Sequence, residues 1–180
     1  MKAVNALPAA VEPPRHVGSP AFADVVADHL EAVYGYLVYL TGDRAAAEDL
    51  AAETFERAFK SWRRFDPRRG APRTWLCRIA HSAAVDWFRA EARRQRREET
   101  YSRDEAPLGD TVFAEGLSPE LDRALRRLTP AEREVVALRV LLELDGPSAA
   151  RVLGISRTAC STRLSRALKR LEEEMTHVRS

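Results

Sequence analysis

Three groups of side chains in this sequence have types and spacings that suit recognition chemistry. Arg157, Ser161, Thr162, Arg163 and Arg166 follow directly on Leu153-Gly154-Ile155-Ser156, spread over three helical turns. Guanidinium groups so arrayed can read guanine bidentately, and hydroxyls can reach either base edge. A second group lies in the stretch 64–73 (RFDPRRGAPR), with Arg64, Phe65, Arg68, Arg69 and Arg73, and continues as Arg78, Ser82, Arg89 and Arg93. An aromatic ring among arginines is suitable material for base stacking and phosphate contact. The third group is acidic: Glu48, Asp49, Glu53 and Glu56 recur along one predicted helix. Such a ridge can dock on a basic protein surface, setting encounter rate and register. Cys77 and His81, four apart, would share a helix face, but no second Cys/His pair completes four metal ligands. A packed thiol beside a surface imidazole is the simpler reading, and neither metal nor cofactor is expected.

The elements that must hold these groups are all helical. Apolar residues at Phe22, Val26, Leu30, Val33, Leu37 and Leu40 recur every three or four positions. Thr41-Gly42-Asp43 stops that helix and offers Asp43 as the next cap. The following helix carries Ala47, Leu50, Thr54, Ala58, Trp62 and Phe65 on one side, with the carboxylates largely on the others. Two prolines and a glycine make 64–73 a loop. A long helix follows from about Thr74 to Arg94 or beyond, with Trp75, Ile79, Ala83 and Trp87 as its expected inner face; Trp75 could equally serve as a wedge at the surface. Near the C-terminus come a short helix from Pro119 to Arg127, one from Pro130 to about Leu144 with Val135, Leu138 and Leu141 or Leu142 inside, then a tight turn and a last helix. Leu164, Leu168 and Leu171 should face inward there. Gly154 allows the sharp turn and Ser156 can cap the helix after it, the pattern of a helix-turn-helix that presents one helix to a DNA major groove. The fold class expected is all-α, two small helical domains joined by a flexible acidic linker. The boundaries are a flexible Pro-rich tail at 1–20, a first domain at 21–97, a linker at 98–117 and a second domain at 118–175.

Charge is segregated in a way the formal net charge of +2 conceals. Residues 24–56 hold eight carboxylates against Arg44 alone, 57–97 hold thirteen basic residues against three acidic, 98–120 hold seven acidic against Arg103, and 151–171 hold six basic and none acidic. Two cationic blocks between anionic ones suit a protein that touches a polyanion at two places. Two cysteines far apart give no disulfide framework, and neither a signal peptide nor a membrane-length apolar stretch is present in these 180 residues. A cytoplasmic protein is expected.

These segments resemble the extracytoplasmic-function (ECF) group of bacterial sigma factors. The resemblance is carried by Leu40-Thr41-Gly42-Asp43 with Ala47-Glu48-Asp49-Leu50-Ala51-Ala52-Glu53-Thr54-Phe55; by Thr74-Trp75-Leu76-Cys77-Arg78-Ile79-Ala80 with Asp86 and Arg89; and by Leu138-Arg139, Leu153-Gly154-Ile155-Ser156 and Arg163-Leu164-Ser165-Arg166-Ala167. Each is common alone; their order over about 150 residues is specific. The resemblance implies a partner, core RNA polymerase (β′ clamp and β subunit), held through Glu48, Asp49, Glu53 and Glu56. It implies promoter DNA bound at two sites: the −10 element by Arg64, Phe65, Arg68, Arg69, Arg73, Arg78, Ser82, Arg89 and Arg93, with a base flipped into the 64–73 loop, and the −35 element by Arg157, Ser161, Thr162, Arg163 and Arg166. An anti-sigma factor is a further partner the group often has, and association with the nucleoid through polymerase follows. The linker would either thread the polymerase as an acidic mimic of RNA or act as a plain spacer.

Four departures from the group stand out. Ala52 replaces a usual glutamine, Ser82 a usual asparagine near the flipped base, Cys160 a β-branched residue, and Asp145-Gly146-Pro147-Ser148 a polar-aromatic helix start. Two rival readings remain at this level. One is a helix-turn-helix regulator that acts on duplex DNA without joining polymerase. The other is a nucleic-acid-processing enzyme using Cys77, His81 and Asp86, for which no carboxylate cluster or phosphate loop is present.

Overall fold

A computed structural model describes residues 21–99 and 118–177, and the account below is of these; the expected tail at 1–20 and nearly all of the expected linker lie outside them. Seven α-helices make up the fold, and no strand occurs among the described residues. The first three form an N-terminal module. Helix α1 (Phe22–Thr41) ends where Gly42 takes φ 69° and returns its N–H to the carbonyl of Val38. Asp43 then caps α2 (Arg44–Ser61), its Oδ1 accepting from the backbone of Ala45 at 2.9 Å and Ala46 at 3.2 Å. The 64–73 stretch is less irregular than two prolines suggest. It holds two single 3₁₀ turns, Trp62–Arg64 and Pro67–Arg69, the second capped by Asp66, and Pro72 already opens α3 (Pro72–Glu99). Proline fits there because an N-terminal position needs no amide hydrogen.

The C-terminal module holds four helices. Ser118 caps α4 (Pro119–Arg126). Thr129 and Glu132 form a reciprocal capping box on α5 (Pro130–Val136), the helix being carried on by a π turn over Ala137–Leu141. This run stops by Leu142, earlier than the pattern predicts, because Glu143 turns left-handed (φ 51°) and Arg139 donates to the carbonyl of Leu144. Asp145 caps α6 (Gly146–Leu153) and α7 spans Arg157–His177.

One continuous core runs through both modules. Tyr36, Leu37, Leu76 and Cys77 are fully buried in the first; Val135, Leu138, Ala149, Cys160 and Ala167 in the second. The modules touch where α3 packs on α6 and where α1 packs on α5 and the π turn. That contact corrects the phase of the predicted stripes. On α3 the buried residues are Leu76, Cys77, Ala80, Ala83 and Ala84, while Trp75, Ile79 and Trp87 are only half-buried. A helix covered from two sides buries a wider arc, so a one-sided stripe mislocates its centre. Of the Leu141 or Leu142 alternative it is Leu142 that is buried and Leu141 that is close to half exposed, as are Leu30 and Leu168, which were also expected inside. Leu141 and Leu168 line an apolar groove of about 500 Å³ between α1 and the C-terminal module.

Candidate nucleic-acid interface

The helix-turn-helix is α6, the turn Gly154-Ile155-Ser156, and α7. Gly154 adopts φ 65°, the amide of Ile155 closes back on the Ala150 carbonyl at 3.0 Å, and Ser156 Oγ accepts from the amide of Ala159 at 3.1 Å. Glycine is required here because an L side chain in the left-handed region is strained. Cys160 and Ala167 seat α7 on the core, leaving Arg157, Ser161, Thr162 and Arg166 exposed and Arg163 half-buried. Small inward residues thus replace the expected leucine face, with Leu164 and Leu171 only half-buried. The turn survives the unusual Asp145-Gly146-Pro147-Ser148 opening because Asp145 accepts the amide of Ser148 at 2.6 Å. The two hydrogen bonds from Ser148 hold the Asp145 carboxyl below its ordinary range.

The 64–73 segment is built on aromatic stacking. Phe65 lies parallel to Trp62 (centroids 4.9 Å apart, planes 6° apart) and tilted against Trp75 at 5.1 Å; Phe22 and Phe59 extend the cluster. Such contacts add roughly 0.5–1.5 kcal/mol per pair beyond burial, so the segment is held rigidly. It borders a cavity of about 500 Å³ lined by Arg64, Phe65, Asp66, Arg69, Thr74, Trp75 and Arg78, among others. From its rim the exposed side of α3 continues with Arg78, Ser82, Arg89 and Arg93, spaced by four and eleven residues and therefore on one face. Phe65 and Trp75 are wall rather than free-standing wedges, since each is half-buried in the cluster.

Arg73 departs from its predicted neighbours. Its Nε is buried and its charge acts inward, depressing the pKa of His29 on α1, which burial already lowers. As the second residue of α3, Arg73 takes its direction from the helix and is half-buried, whereas Arg64, Arg68 and Arg69 are exposed. The sequence reading missed Arg151. This α6 residue lines the same cavity and donates to the carbonyl of Arg69 at 3.1 Å. No local signal could announce a contact between residues 82 positions apart.

On α2, Glu48, Asp49 and Glu56 are exposed and Glu53 half-exposed, as the pattern predicts. Two of the four have cations one turn on: Glu53 pairs with Arg57, which also reaches Asp86 at 3.9 Å, and Glu56 pairs with Lys60. The hydrogen bond and charge of Lys60 lower the pKa of Glu56. Cys77, His81 and Asp86 do not act together. Burial pushes the Cys77 thiol up to about 12, His81 turns to Glu134 at 3.7 Å, and Asp86 turns to Arg57 and Arg89. No helix among the described residues is long and apolar enough to cross a membrane.

Comparison with known proteins matches the two modules in the same order. Residues 25–94 match the family described as sigma-70 region 2, and residues 118–171 match sigma-70, region 4. The RNA polymerase sigma factor YlaC of Bacillus subtilis is 31% identical over 165 residues, spanning 87% of this chain and 92% of YlaC. The ECF RNA polymerase sigma factor BldN of Streptomyces coelicolor is 33% identical over 157 residues, 84% of this chain but 59% of BldN. Among solved structures, the sigma factor RpoE in complex with the anti-sigma factor NepR from Bartonella quintana superposes with TM-score 0.72 at 21% identity, covering 86% of this chain and 96% of that one. CnrH in complex with the cytosolic domain of CnrY superposes with TM-score 0.63 at 26% identity, covering 87% and 88%.

Proposed function

The chain belongs to the extracytoplasmic-function group of RNA polymerase sigma factors, and from that premise we propose that it joins core polymerase in the cytoplasm, directs it to promoters bearing −35 and −10 elements, and holds the melted −10 strand. It is not an enzyme: polymerisation resides in the core. The N-terminal module docks on the β′ clamp through α2. Glu48 and Asp49 carry most of that contact, because Glu53 and Glu56 are partly neutralised by Arg57 and Lys60. The cavity beside the 64–73 segment receives a base of the non-template strand. Unstacking costs a few kcal/mol, which the rigid aromatic wall and nearby guanidiniums offset. Arg64, Arg68, Arg69, Arg78, Arg89 and Arg93 follow the phosphates, Ser82 touches the bases, and Arg73 supports the fold of the site from inside. In the C-terminal module Arg157, Ser161, Thr162, Arg163 and Arg166 enter the −35 major groove while the β subunit supports the module. An anti-sigma factor is a further partner, in keeping with the complex in which RpoE was solved.

The observation that carries this reading is the continuity of one surface: the aromatic-walled cavity opens directly onto the arginine face of α3. A repressor that binds only duplex DNA needs no such pocket. The test is reconstitution with purified core polymerase on genomic DNA and mapping of 5′ ends. Start sites that share upstream sequences at −35 and −10 are expected. Absence of site-specific transcripts, with duplex binding intact, would favour the regulator instead.

A further inference from the structure

Residues 151–171 hold six cations and no carboxylate in sequence, but the fold does not leave that charge bare. Along α7 it is graded. Arg157, Arg163 and Arg166, in the half that follows the turn, make no ion pair among the described residues. In the distal half each cation has a carboxylate: Lys169 Nζ lies 3.8 Å from Glu173, and Arg170 Nη1 lies 3.2 Å from Glu132 Oε2. Arg127, at the end of α4, likewise reaches Glu174 at 3.4 Å.

These pairs differ in how firmly the anion is held. Lys169 and Glu173 are both exposed, and a phosphate can displace such a partner at small cost. Glu132 is buried and cannot swing away, because Thr129 holds its Oε2 through both the backbone amide and the hydroxyl. Its charge is felt at Arg166 as well. Arg163, Arg166 and Arg170 stand three and four residues apart, hence on one side of α7. A recognition helix meets base edges with its N-terminal residues. An uncovered Arg170, one turn beyond Arg166, would therefore add attraction to phosphates, which carry no sequence information.

We propose that Glu132 is a fixed counter-charge under the recognition helix: it cancels Arg170, so that α7 attracts duplex of any sequence only weakly and its hold on DNA comes from the residues that read bases. The proposal rests on the −35 reading above and gives a function to a residue that itself touches no DNA. It carries a diagnostic sign. Removing this side chain's charge should strengthen DNA binding, and equally on every sequence, as one more phosphate contact does. A capping box accepts glutamine as well as glutamate, so Glu132→Gln takes away the charge and keeps the cap.

The test titrates the full chain onto fluorescent duplexes of about 20 base pairs, read by anisotropy between about 50 and 200 mM salt. One duplex carries the −35 sequence shared by the mapped start sites, the other a scrambled copy. Glu132→Gln should tighten both about 2- to 5-fold at the low-salt end and steepen the salt slope by up to about 0.9, the share of one phosphate. Adding Arg170→Gln should return both quantities to the parent values. That double variant shares any folding defect of the single one, and circular dichroism checks each. Unchanged or weaker binding of the scrambled duplex in Glu132→Gln overturns the counter-charge, and so does a gain that survives Arg170→Gln. A change confined to the matched duplex overturns it too, since Glu132 would then be supporting the base-reading arginines. The −35 reading fails separately, if the matched duplex binds no better than the scrambled one and Arg157→Ala alters neither; the scrambled duplex alone still decides the role of Glu132.

Discussion

Glu132 shows how much structure one carboxylate can hold. It is 8% exposed and accepts from the backbone of Thr129 at 2.9 Å, from Thr129 Oγ1 at 2.8 Å and from Arg170 Nη1 at 3.2 Å, tying α5 to the recognition helix. Burial pushes its pKa up, but the Thr129 hydrogen bonds and the charges of Arg170 and Arg166 outweigh it, and the net direction is down. A depressed carboxyl stabilises the fold above its unfolded value, ordinarily 4.5, and loses that contribution as pH falls through the lower folded value. Glu132→Ala should therefore cost about 1–2 kcal/mol at pH 7, with the gap to the parent narrowing below about pH 4.5. Urea denaturation at pH 7 and pH 3 checks this; a gap equally wide at both would exclude the ionised form as its source. On α7, Arg163→Ala and Arg166→Ala should each weaken promoter binding by about 1–3 kcal/mol, the range for a bidentate guanine contact. Promoters with the −35 element intact must suffer more than controls with it scrambled. Equal loss on both would reduce these arginines to phosphate contacts.

Elements were legible in the sequence wherever local chemistry decides them. Asp43 and Ser156 cap the helices they precede, as expected, and Gly42 and Gly154 turn left-handed at the helix ends. Burial was less legible, because it depends on what arrives from elsewhere in the chain. The α6 helix covers a side of α3 that a single stripe leaves open, and Leu168 borders a groove rather than the core. The acidic ridge of α2 was readable in position, and the four-residue spacing of Glu53 to Arg57 and Glu56 to Lys60 announced its charge balance too, a signal the sequence reading passed over. Reversing two of its charges, Asp49→Lys with Glu53→Lys, should weaken association with core polymerase at least about tenfold. Helicity should be nearly unchanged, as the exposed Glu53–Arg57 pair contributes about 0–1 kcal/mol. Sedimentation or native gel shift with core enzyme, alongside far-ultraviolet circular dichroism, separates the two. Retained association in a folded double variant would remove α2 from the clamp contact.

At the scale of the molecule, two helical modules joined by a linker were legible in the sequence, but their contact was not: the modules share a core, and the packing of α3 on α6 is a long-range fact with no local signature. That contact has a thermodynamic consequence that can be measured with the protein's own fluorophores. Trp62, Trp75 and Trp87 all belong to the N-terminal module, so tryptophan emission reports unfolding there and nowhere else. Gly154→Ala perturbs only the C-terminal module. No atom lies within 4 Å of the added Cβ, so the cost is the left-handed backbone alone, about 1–2 kcal/mol. If the modules unfold as one cooperative unit, that cost is shared, and the tryptophan-detected midpoint should fall by about 2–4 °C per kcal/mol, the scaling for a domain of this size. If they unfold separately, circular dichroism should show a shifted phase while tryptophan emission keeps its parent midpoint. Coincident shifts by both probes are expected for the free chain.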